Sequence, residues 1–222
     1  MVLPIREIAD LAHEVGALLI CDAAQSCGMV PSNVHELGVD AYACSGQKWL
    51  CGPDGTGALF LRGDLFGEVQ PTFVNFSAFA ACDENGYYVP TASAARYEAV
   101  SLYPPAVAGL RASLDWLASD VGWDWIYARI ATLGRRCYDA QAAVPGVTLY
   151  TPRDRMAGLV HFTLAGVPAP DLTARLGERG IVIRHTPNPA VNRVATGFYN
   201  TEEEIDRLAA VLRELADEVP PA

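Results

Sequence analysis

Three short apolar runs constrain the fold of this chain more than any other feature. They read ALLICD at residues 17–22, VDAYACS at 39–45 and GALFLR at 57–62. Strands that are apolar at consecutive positions are buried on both faces, as in parallel sheets covered by helices. Residues 4–16, before the first run, repeat apolar side chains at helical spacing. This order of helix and strands predicts an α/β layer with a mostly parallel sheet.

The rest of the chain predicts a second, smaller module. Residues 63–101 are irregular, with Gly, Pro, Asn and Asp among aromatics, and loop-rich segments of this length are usually functional. The pattern after them predicts helices 104–119 and 123–143, strands 147–150 and 158–164, helix 171–179, strands 181–185 and 192–197, and helix 202–216. We assign residues 1–103 to a partial large domain and residues 104–222 to a small α+β domain.

Charge and hydropathy argue against two classes of partner. The formal net charge is -10, which is unfavourable for binding the phosphates of nucleic acid. No apolar run reaches the roughly 20 residues of a membrane span, and the first residues lack a signal-peptide pattern. We therefore expect no nucleic-acid or membrane partner and a cytoplasmic location. The cysteines form no C-x-x-C pair and the histidines show no metal-ligand spacing, so we expect reduced thiols and no metal site.

Two charged residues follow apolar strands, at positions where α/β proteins bind ligands. Asp22 ends the first run, and Lys48 follows the second. If the two strands are parallel neighbours, both side chains open into one crevice at the carboxyl edge of the sheet. A lysine amine there can form an imine, and a carboxylate can keep the pyridine nitrogen of pyridoxal phosphate protonated. A capping role for Asp22 and a plain loop cation at Lys48 are the open alternatives.

The glycines after Lys48 do not form a nucleotide loop. In GPDGTG, at residues 52–57, the lysine precedes the glycines, whereas in a P-loop it follows them. The glycines instead predict a tight turn with close backbone approach. Gln25 and Ser45 fit a cofactor crevice as donors to a phenolic oxygen and to a phosphate. Arg193 fits an amino-acid carboxylate, with a surface arginine at a strand end as the alternative.

These motifs together resemble the class V aminotransferase family, the fold-type I pyridoxal-phosphate enzymes that include cysteine desulfurases. The segments that carry the resemblance are ICDAAQSCG, LGVDAYACSGQKWLCGPDGTGALFLR, RYEAVSLYPPAVAGL and NRVATGFYNTEEEIDRL. The resemblance implies the C-terminal part of the family's large α/β domain, followed by its small α+β domain, with the N-terminal part of the large domain absent. It also implies pyridoxal 5'-phosphate as cofactor, an amino-acid substrate and a homodimer.

The resemblance implies a role for five residues around the cofactor. Lys48 forms the imine with pyridoxal phosphate, and Asp22 contacts the pyridine nitrogen. Gln25 contacts the ring oxygen, while Ser45 and Gln47 contribute to cofactor binding. Lys48 and Asp22 are thus the expected catalytic residues.

Two further roles lie outside that group. Arg193 is expected to hold the substrate carboxylate. Ser101, in the RYEAVS segment, is expected to reach the phosphate of the partner subunit, although Val100 stands where glycine is usual in the family.

Departures from the family pattern bear on the reaction. Gln47 stands where desulfurases usually carry histidine, and residues 182–196 contain no cysteine where desulfurases carry a catalytic one. We therefore predict a cysteine/cystine C–S lyase, which eliminates the β-sulfur to give pyruvate, ammonia and sulfide or persulfide. The alternatives are a class V aminotransferase, an amino-acid epimerase and a truncated non-catalytic remnant. A cysteine desulfurase is disfavoured.

Overall fold

The computed structural model describes residues 1–99 and 102–218, and it contains two compact units. Of the described residues, 4–99 and 102–120 form the first unit, and 1–3 and 121–218 form the second. The division falls after Asp120, so the helix that begins at Pro104 clusters with the first unit. The domain boundary at residue 103 stays a prediction.

The first unit is built on a three-stranded sheet. Its elements begin with α1 (Ile5–Glu14), β1 (Ile20–Asp22), α2 (Val34–Leu37), β2 (Ala41–Ser45) and β3 (Gly57–Leu61). The expected parallel pairing is confirmed for β1 and β2, whereas β3 runs antiparallel to β2. The cause is the connection from β2 to β3, which has no helix. A parallel crossover needs about a dozen residues or more, usually in a helix.

One face of this sheet is open, which the sequence does not predict. Strand register places Ile20, Asp22, Ala43 and Leu59 on the same face, and all four are exposed, Ile20 at 71% and Leu59 at 52%. We call these four residues the open face. The opposite face packs on a small core that includes Tyr42. Burial of the strands on both faces is therefore wrong for this sheet, because the described part of the unit leaves one face uncovered.

A buried carboxylate joins three segments of the first unit. Asp40, 1% exposed, lies just before β2. It accepts hydrogen bonds from the Leu19 backbone N–H (2.7 Å), His13 Nε2 (2.9 Å) and Arg62 Nη1 (2.5 Å). Burial alone would raise the pKa of Asp40, but the hydrogen bonds from His13 and Leu19 and the charge of Arg62 lower it. The ionised carboxylate thus links α1, the segment before β1 and the end of β3.

The segment after β3 is largely irregular, as predicted, but it contains a hairpin. Strands β4 (Phe79–Cys82) and β5 (Tyr88–Pro90) pair antiparallel. Asp83 Oδ1 accepts from the backbone N–H groups of Asn85 and Tyr87, both at 2.9 Å, which closes the turn. The strands are too short to show a clear alternation in the sequence. The unit continues with α3 (Pro104–Trp116) and ends within a π-helical turn at Leu117–Val121.

The second unit is a four-stranded antiparallel sheet covered by helices on one face. Its elements are α4 (Trp123–Ala142), β6 (Val147–Leu149), β7 (Leu159–Leu164), α5 (Ala169–Glu178), β8 (Arg184–Pro187), β9 (Ala190–Ala195) and α6 (Glu202–Asp217). The strand order is β6-β7-β9-β8, and every neighbouring pair is antiparallel. The predicted order of elements is confirmed, although β8 begins three residues later than predicted and β9 begins two residues earlier.

The core of the second unit lies between the sheet and its helices. Burial alternates along β7, where Val160 and Phe162 are fully buried with Leu172 of α5 and Leu212 of α6. Period-two burial of this kind marks a sheet with one packed and one open face. In the described part of the chain, no helix is long and apolar enough to cross a membrane.

The start of α6 is fixed by hydrogen bonds. The predicted capping box is present, with the Thr201 hydroxyl accepting from the Glu204 N–H (3.3 Å) and Glu204 Oε2 accepting from the Thr201 N–H (3.0 Å). Arg129 of α4 binds the two carboxylate oxygens of Glu202, at 2.5 and 2.9 Å. This guanidinium lowers the pKa of Glu202 to about 2. These contacts hold α6 against α4.

Candidate functional site

The parallel pairing of β1 and β2 brings two predicted site residues to one edge of the first sheet. Asp22 is the last residue of β1 and stands opposite Ala43 of β2. Lys48 follows the last residue of β2, Ser45, by three positions, and both Asp22 and Lys48 are exposed. Because the strands are parallel, their carboxyl ends meet at the same edge. The expected common edge for Asp22 and Lys48 is therefore present.

The Asp22 carboxylate is oriented by a local turn. Its Oδ1 accepts a hydrogen bond from the Ala24 backbone N–H at 3.0 Å. This contact is the capping role considered as an alternative, and it uses only one of the two oxygens. Among the described residues, Oδ2 has no hydrogen-bond partner. The turn thus fixes the carboxylate and leaves one oxygen available to a ligand.

The side chain of Gln25 is held by Trp49, the residue after Lys48. Trp49 is 8% exposed, and its indole Nε1–H donates to Gln25 Oε1 at 3.3 Å. An amide whose oxygen accepts this bond presents its NH₂ group elsewhere as a donor. No pattern in the sequence assigns a role to Trp49, and its position next to Lys48 is the only signal there. The contact connects the turn after β1 to the lysine turn.

Backbone hydrogen bonds close the turn that carries Lys48. The Gly46 N–H donates to the Thr56 carbonyl and the Gly52 N–H donates to the Gly46 carbonyl, both at 2.8 Å. The Cys51 N–H donates to the Lys48 carbonyl at 3.0 Å. We call residues 46–56 the lysine turn. It confirms the tight turn predicted from the glycines.

The lysine turn also packs against α3. The Ser113 hydroxyl donates to the Leu50 carbonyl at 2.6 Å. A Cβ atom on Gly46 would lie 2.2 Å from Thr56 Oγ1 and 3.1 Å from Leu110 Cδ1, so only glycine fits. Close packing on two sides fixes the backbone from which the Lys48 side chain extends.

The remaining residues expected to bind the cofactor are Ser45, Gln47 and Ser101. Ser45 is half-buried at the end of β2, opposite Gly57, and Gln47 is exposed within the lysine turn. Neither side chain has a hydrogen-bond partner among the described residues. The predicted contact from Ser101 lies outside the described residues. The roles of these three residues stay predictions.

Arg193 lies in the second unit, inside β9 and not at its opening as expected. It stands opposite His161 of β7 on one side and Arg184 of β8 on the other. The side chain is half-buried. Burial lowers the pKa of Arg193, and the neighbouring charge of Arg184 lowers it further. Sequence analysis does not single out Arg184 or His161, because their places beside Arg193 depend on strand register.

All six cysteines are free of disulfide bonds. Burial raises the pKa of Cys27 to about 12, and the neighbouring Cys44 thiol adds to this effect. Cys51 and Cys82 are exposed, so burial does not extend to every thiol. Although Cys51 is exposed, the protein atoms packed around its thiol in the lysine turn partly desolvate it, and this raises its pKa. A raised pKa disfavours the thiolate, which is the reactive form of cysteine.

Residues 1–208 match the family model described as Aminotransferase class-V. The chain belongs to the class V aminotransferase family. A curated member, the cysteine desulfurase of Haloferax volcanii, is 33% identical over 222 residues, which cover 92% of this chain and 50% of that protein. The probable cysteine desulfurase of Methanothermobacter thermautotrophicus is 31% identical over 227 residues, covering 96% of this chain and 56% of that protein.

Solved structures of class V members share the fold of this chain. The apo cysteine desulfurase from Thermococcus onnurineus NA1 has a TM-score of 0.88 and 27% identity, covering 97% of this chain and 56% of that one. The cystine C–S lyase C-DES, in complex with its product cysteine persulfide, has a TM-score of 0.87 and 29% identity, covering 98% and 58%. The predicted family and fold class are confirmed. This class V chain spans about half the length of the relatives it matches.

Proposed function

We propose that this chain is part of a pyridoxal-phosphate enzyme that cleaves the C–S bond of cysteine or cystine by β-elimination. The observation that carries the proposal is the parallel pairing of β1 with β2, which brings Asp22 and Lys48 to one edge. The C–S lyase C-DES is among the proteins that share the fold, and one solved variant of C-DES holds glycine linked covalently to its pyridoxal-phosphate cofactor. We further propose a homodimer in the cytoplasm.

The side chains at this edge fit the chemical groups of pyridoxal phosphate. Lys48 is the only lysine in the sequence and supplies the amine for covalent attachment. Asp22 Oδ2 is available to accept from a protonated ring nitrogen, and the NH₂ group of Gln25 is available to donate to the ring oxygen. Ser45 and Gln47 add donors nearby. When bound, the cofactor supplies an electron sink for negative charge at the substrate α-carbon.

The proton transfer and the binding of the substrate are assigned to residues of the chain. Lys48 Nζ would act as the base that removes the substrate α-proton, and the closed lysine turn would hold it for that transfer. The Asp22 carboxylate would accept a hydrogen bond from the protonated ring nitrogen and so hold the proton there. Arg193 binds the substrate carboxylate through its guanidinium. The β-sulfur would leave as sulfide from cysteine or as cysteine persulfide from cystine, and hydrolysis of the remaining three-carbon unit by water would give pyruvate and ammonia.

Covalent attachment at Lys48 provides the first test. The purified chain is incubated with pyridoxal phosphate, reduced with borohydride and mapped by mass spectrometry. We expect a cofactor-labelled peptide containing Lys48. Lys48→Arg is the matched control, because it keeps the positive charge but cannot form the imine, and it should carry no label in that peptide. Equal labelling of this peptide in both proteins, or none in either, would contradict the proposal and favour the non-catalytic remnant.

Product analysis separates the candidate reactions. Cystine and cysteine are supplied in turn, and pyruvate, ammonia, alanine and sulfide are measured. Pyruvate with ammonia supports the lyase. The names of the curated relatives favour cysteine desulfurase as the second candidate, which releases alanine instead. A racemic amino acid without sulfide indicates the epimerase, and transfer of the amine to an added oxo acid indicates the aminotransferase.

A further inference from the structure

Trp49, in the lysine turn, packs against residues 23–28, which form the turn after β1. A Cβ atom on Gly28 would lie 3.1 Å from the Cβ and from the carbonyl carbon of Trp49, and 2.9 Å from Leu50 Cδ2. Gly28 also has a φ of 84°, which residues with a side chain rarely adopt. The two turns therefore approach each other closely at Trp49, and Trp49 is only 8% exposed.

The indole of Trp49 decides which way the Gln25 amide faces. Its Nε1–H donates to Gln25 Oε1 at 3.3 Å. An indole nitrogen is a donor only, so the amide must present its oxygen to Trp49 and not its NH₂ group. The reverse orientation would oppose two donors and leave the buried indole N–H without an acceptor, which is unfavourable. The NH₂ group of Gln25 therefore points away from Trp49, and it has no acceptor among the described residues.

The contact between Trp49 and Gln25 contains no titratable group. The titratable side chains of residues 22–28 and of the lysine turn are Asp22, Cys27, Lys48, Cys51 and Asp54. In the described part of the chain, none of these five side chains forms a hydrogen bond with the Gln25 amide or the Trp49 indole. Since amide and indole are neutral, we expect their hydrogen bond to hold the amide in one orientation across the pH range of an assay.

We propose that Trp49 is a positioning residue for the cofactor, which fixes the Gln25 amide so that its NH₂ group meets the ring oxygen of pyridoxal phosphate. The proposal rests on the cofactor assignment in the proposed function. A donor at that oxygen stabilises its negative charge. The stabilised oxygen attracts less strongly the proton on the nitrogen that joins Lys48 to the cofactor. Acting through Gln25, Trp49 thereby lowers the pH at which this nitrogen loses its proton.

A pH titration of the visible absorbance of the bound cofactor tests this role. The full chain is loaded with pyridoxal phosphate, and the label at Lys48 is confirmed by mass spectrometry. Trp49→Phe keeps an aromatic ring but removes the N–H, so the Gln25 amide is free to turn its oxygen towards the cofactor. We expect the midpoint of the titration to rise by about one pH unit, as for one weakened hydrogen bond to a charged atom. Trp125→Phe, the same change at an exposed site in the second unit, is the matched control and should leave the midpoint unchanged.

A second substitution shows whether Trp49 acts through the amide. Gln25→Met has no donor at this position, so the midpoint should rise at least as much as in Trp49→Phe. Adding Trp49→Phe to Gln25→Met should then cause little further rise, because the two residues act in one contact. Circular dichroism confirms that the variants fold. If Trp49→Phe does not fold, 3-benzothienylalanine at position 49, which has sulfur in place of the N–H at nearly equal volume, makes the same test.

Two results would overturn this proposal and leave the proposed function standing. An unchanged midpoint in Trp49→Phe, with Lys48 labelled as in the wild-type chain, would show that the amide needs no indole to keep its orientation. Equal rises on adding Trp49→Phe to the wild-type chain and to Gln25→Met would show that Trp49 acts by packing alone. Absence of the label at Lys48 in the wild-type chain would instead refute the proposed function, and this inference with it.

Discussion

Backbone packing at the lysine turn leaves no space for a side chain on Gly46. Thr56 Oγ1, which a Cβ there would meet at 2.2 Å, donates to the Pro53 carbonyl at 2.6 Å and is not free to rotate away. We expect Gly46→Ala to destabilise the first unit by about 1–3 kcal/mol, the usual cost of overpacking. The measurement is urea unfolding followed by circular dichroism.

The matched control for this substitution is Gly67→Ala. A Cβ on Gly67 meets no atom within 4 Å, so the same added methyl group should cost little. Equal unfolding midpoints for the two variants would contradict the packing argument. Since Gly46 precedes Lys48 by two residues, Gly46→Ala should also reduce cofactor labelling at Lys48, whereas Gly67→Ala should not.

Individual site residues differ in how far the sequence predicts them. Asp22 and Lys48 are predictable because each follows an apolar strand, and parallel neighbours end at one edge. Trp49 and Arg184 are not predictable from the sequence. The contact of Trp49 with Gln25 depends on side-chain packing, and the position of Arg184 opposite Arg193 depends on strand register. Residue type and order along the chain carry no direct information about register.

At the scale of elements, the Asp40 carboxylate joins α1, β2 and β3 through bonds to His13 and Arg62. The amide of an asparagine has only one oxygen, so it cannot accept from His13, Arg62 and the Leu19 backbone N–H together. Its NH₂ group would also face one of these donors. We expect Asp40→Asn to lower the free energy of unfolding by about 1–3 kcal/mol. Asp64→Asn removes an exposed partner of the same Arg62 and should have a smaller effect.

The pH dependence of stability follows from the same contacts. The pKa of Asp40 is lower in the folded chain than in the unfolded chain, so its contribution is present above the unfolded value of about 4 and is lost as pH falls through the folded value. We expect unfolding midpoints of the wild-type chain to fall below about pH 4 more steeply than those of Asp40→Asn. Parallel curves would show that Asp40 does not contribute to acid sensitivity.

Elements with a long, regular pattern are predictable from this sequence, and those that depend on their neighbours are less so. Helices α4 and α6 match the predicted spans within one residue, because their apolar spacing extends over several turns. The direction of β3 and the β4–β5 hairpin depend on short connections. The start of β8 is displaced because its pairing with β9 begins only at Arg184.

At the scale of the whole molecule, the two sheets expose chemically different surfaces. The second unit presents the side chains of His161, Arg193 and Arg184 across three neighbouring strands, and the first unit presents the open face with Ile20 and Leu59. The sequence predicts the apolar character of β1 and β3 correctly. It does not predict exposure, because burial depends on what covers a strand. An apolar surface of this kind promotes dye binding and aggregation.

Polar substitutions on the open face test whether this surface promotes dye binding and aggregation. We expect the double variant Ile20→Thr/Leu59→Thr to bind less of a hydrophobic dye and to stay soluble at higher concentration than the wild-type chain. Threonine has the β-branched shape that strands favour, so the sheet should be retained. Val182→Thr, which changes a single side chain that is 92% exposed in the second unit, is the control and should leave dye binding nearly unchanged. If the double variant bound as much dye as the wild-type chain, the open face would not be the main exposed apolar surface, and the aromatic side chains Phe73 and Phe76 would be the next to substitute.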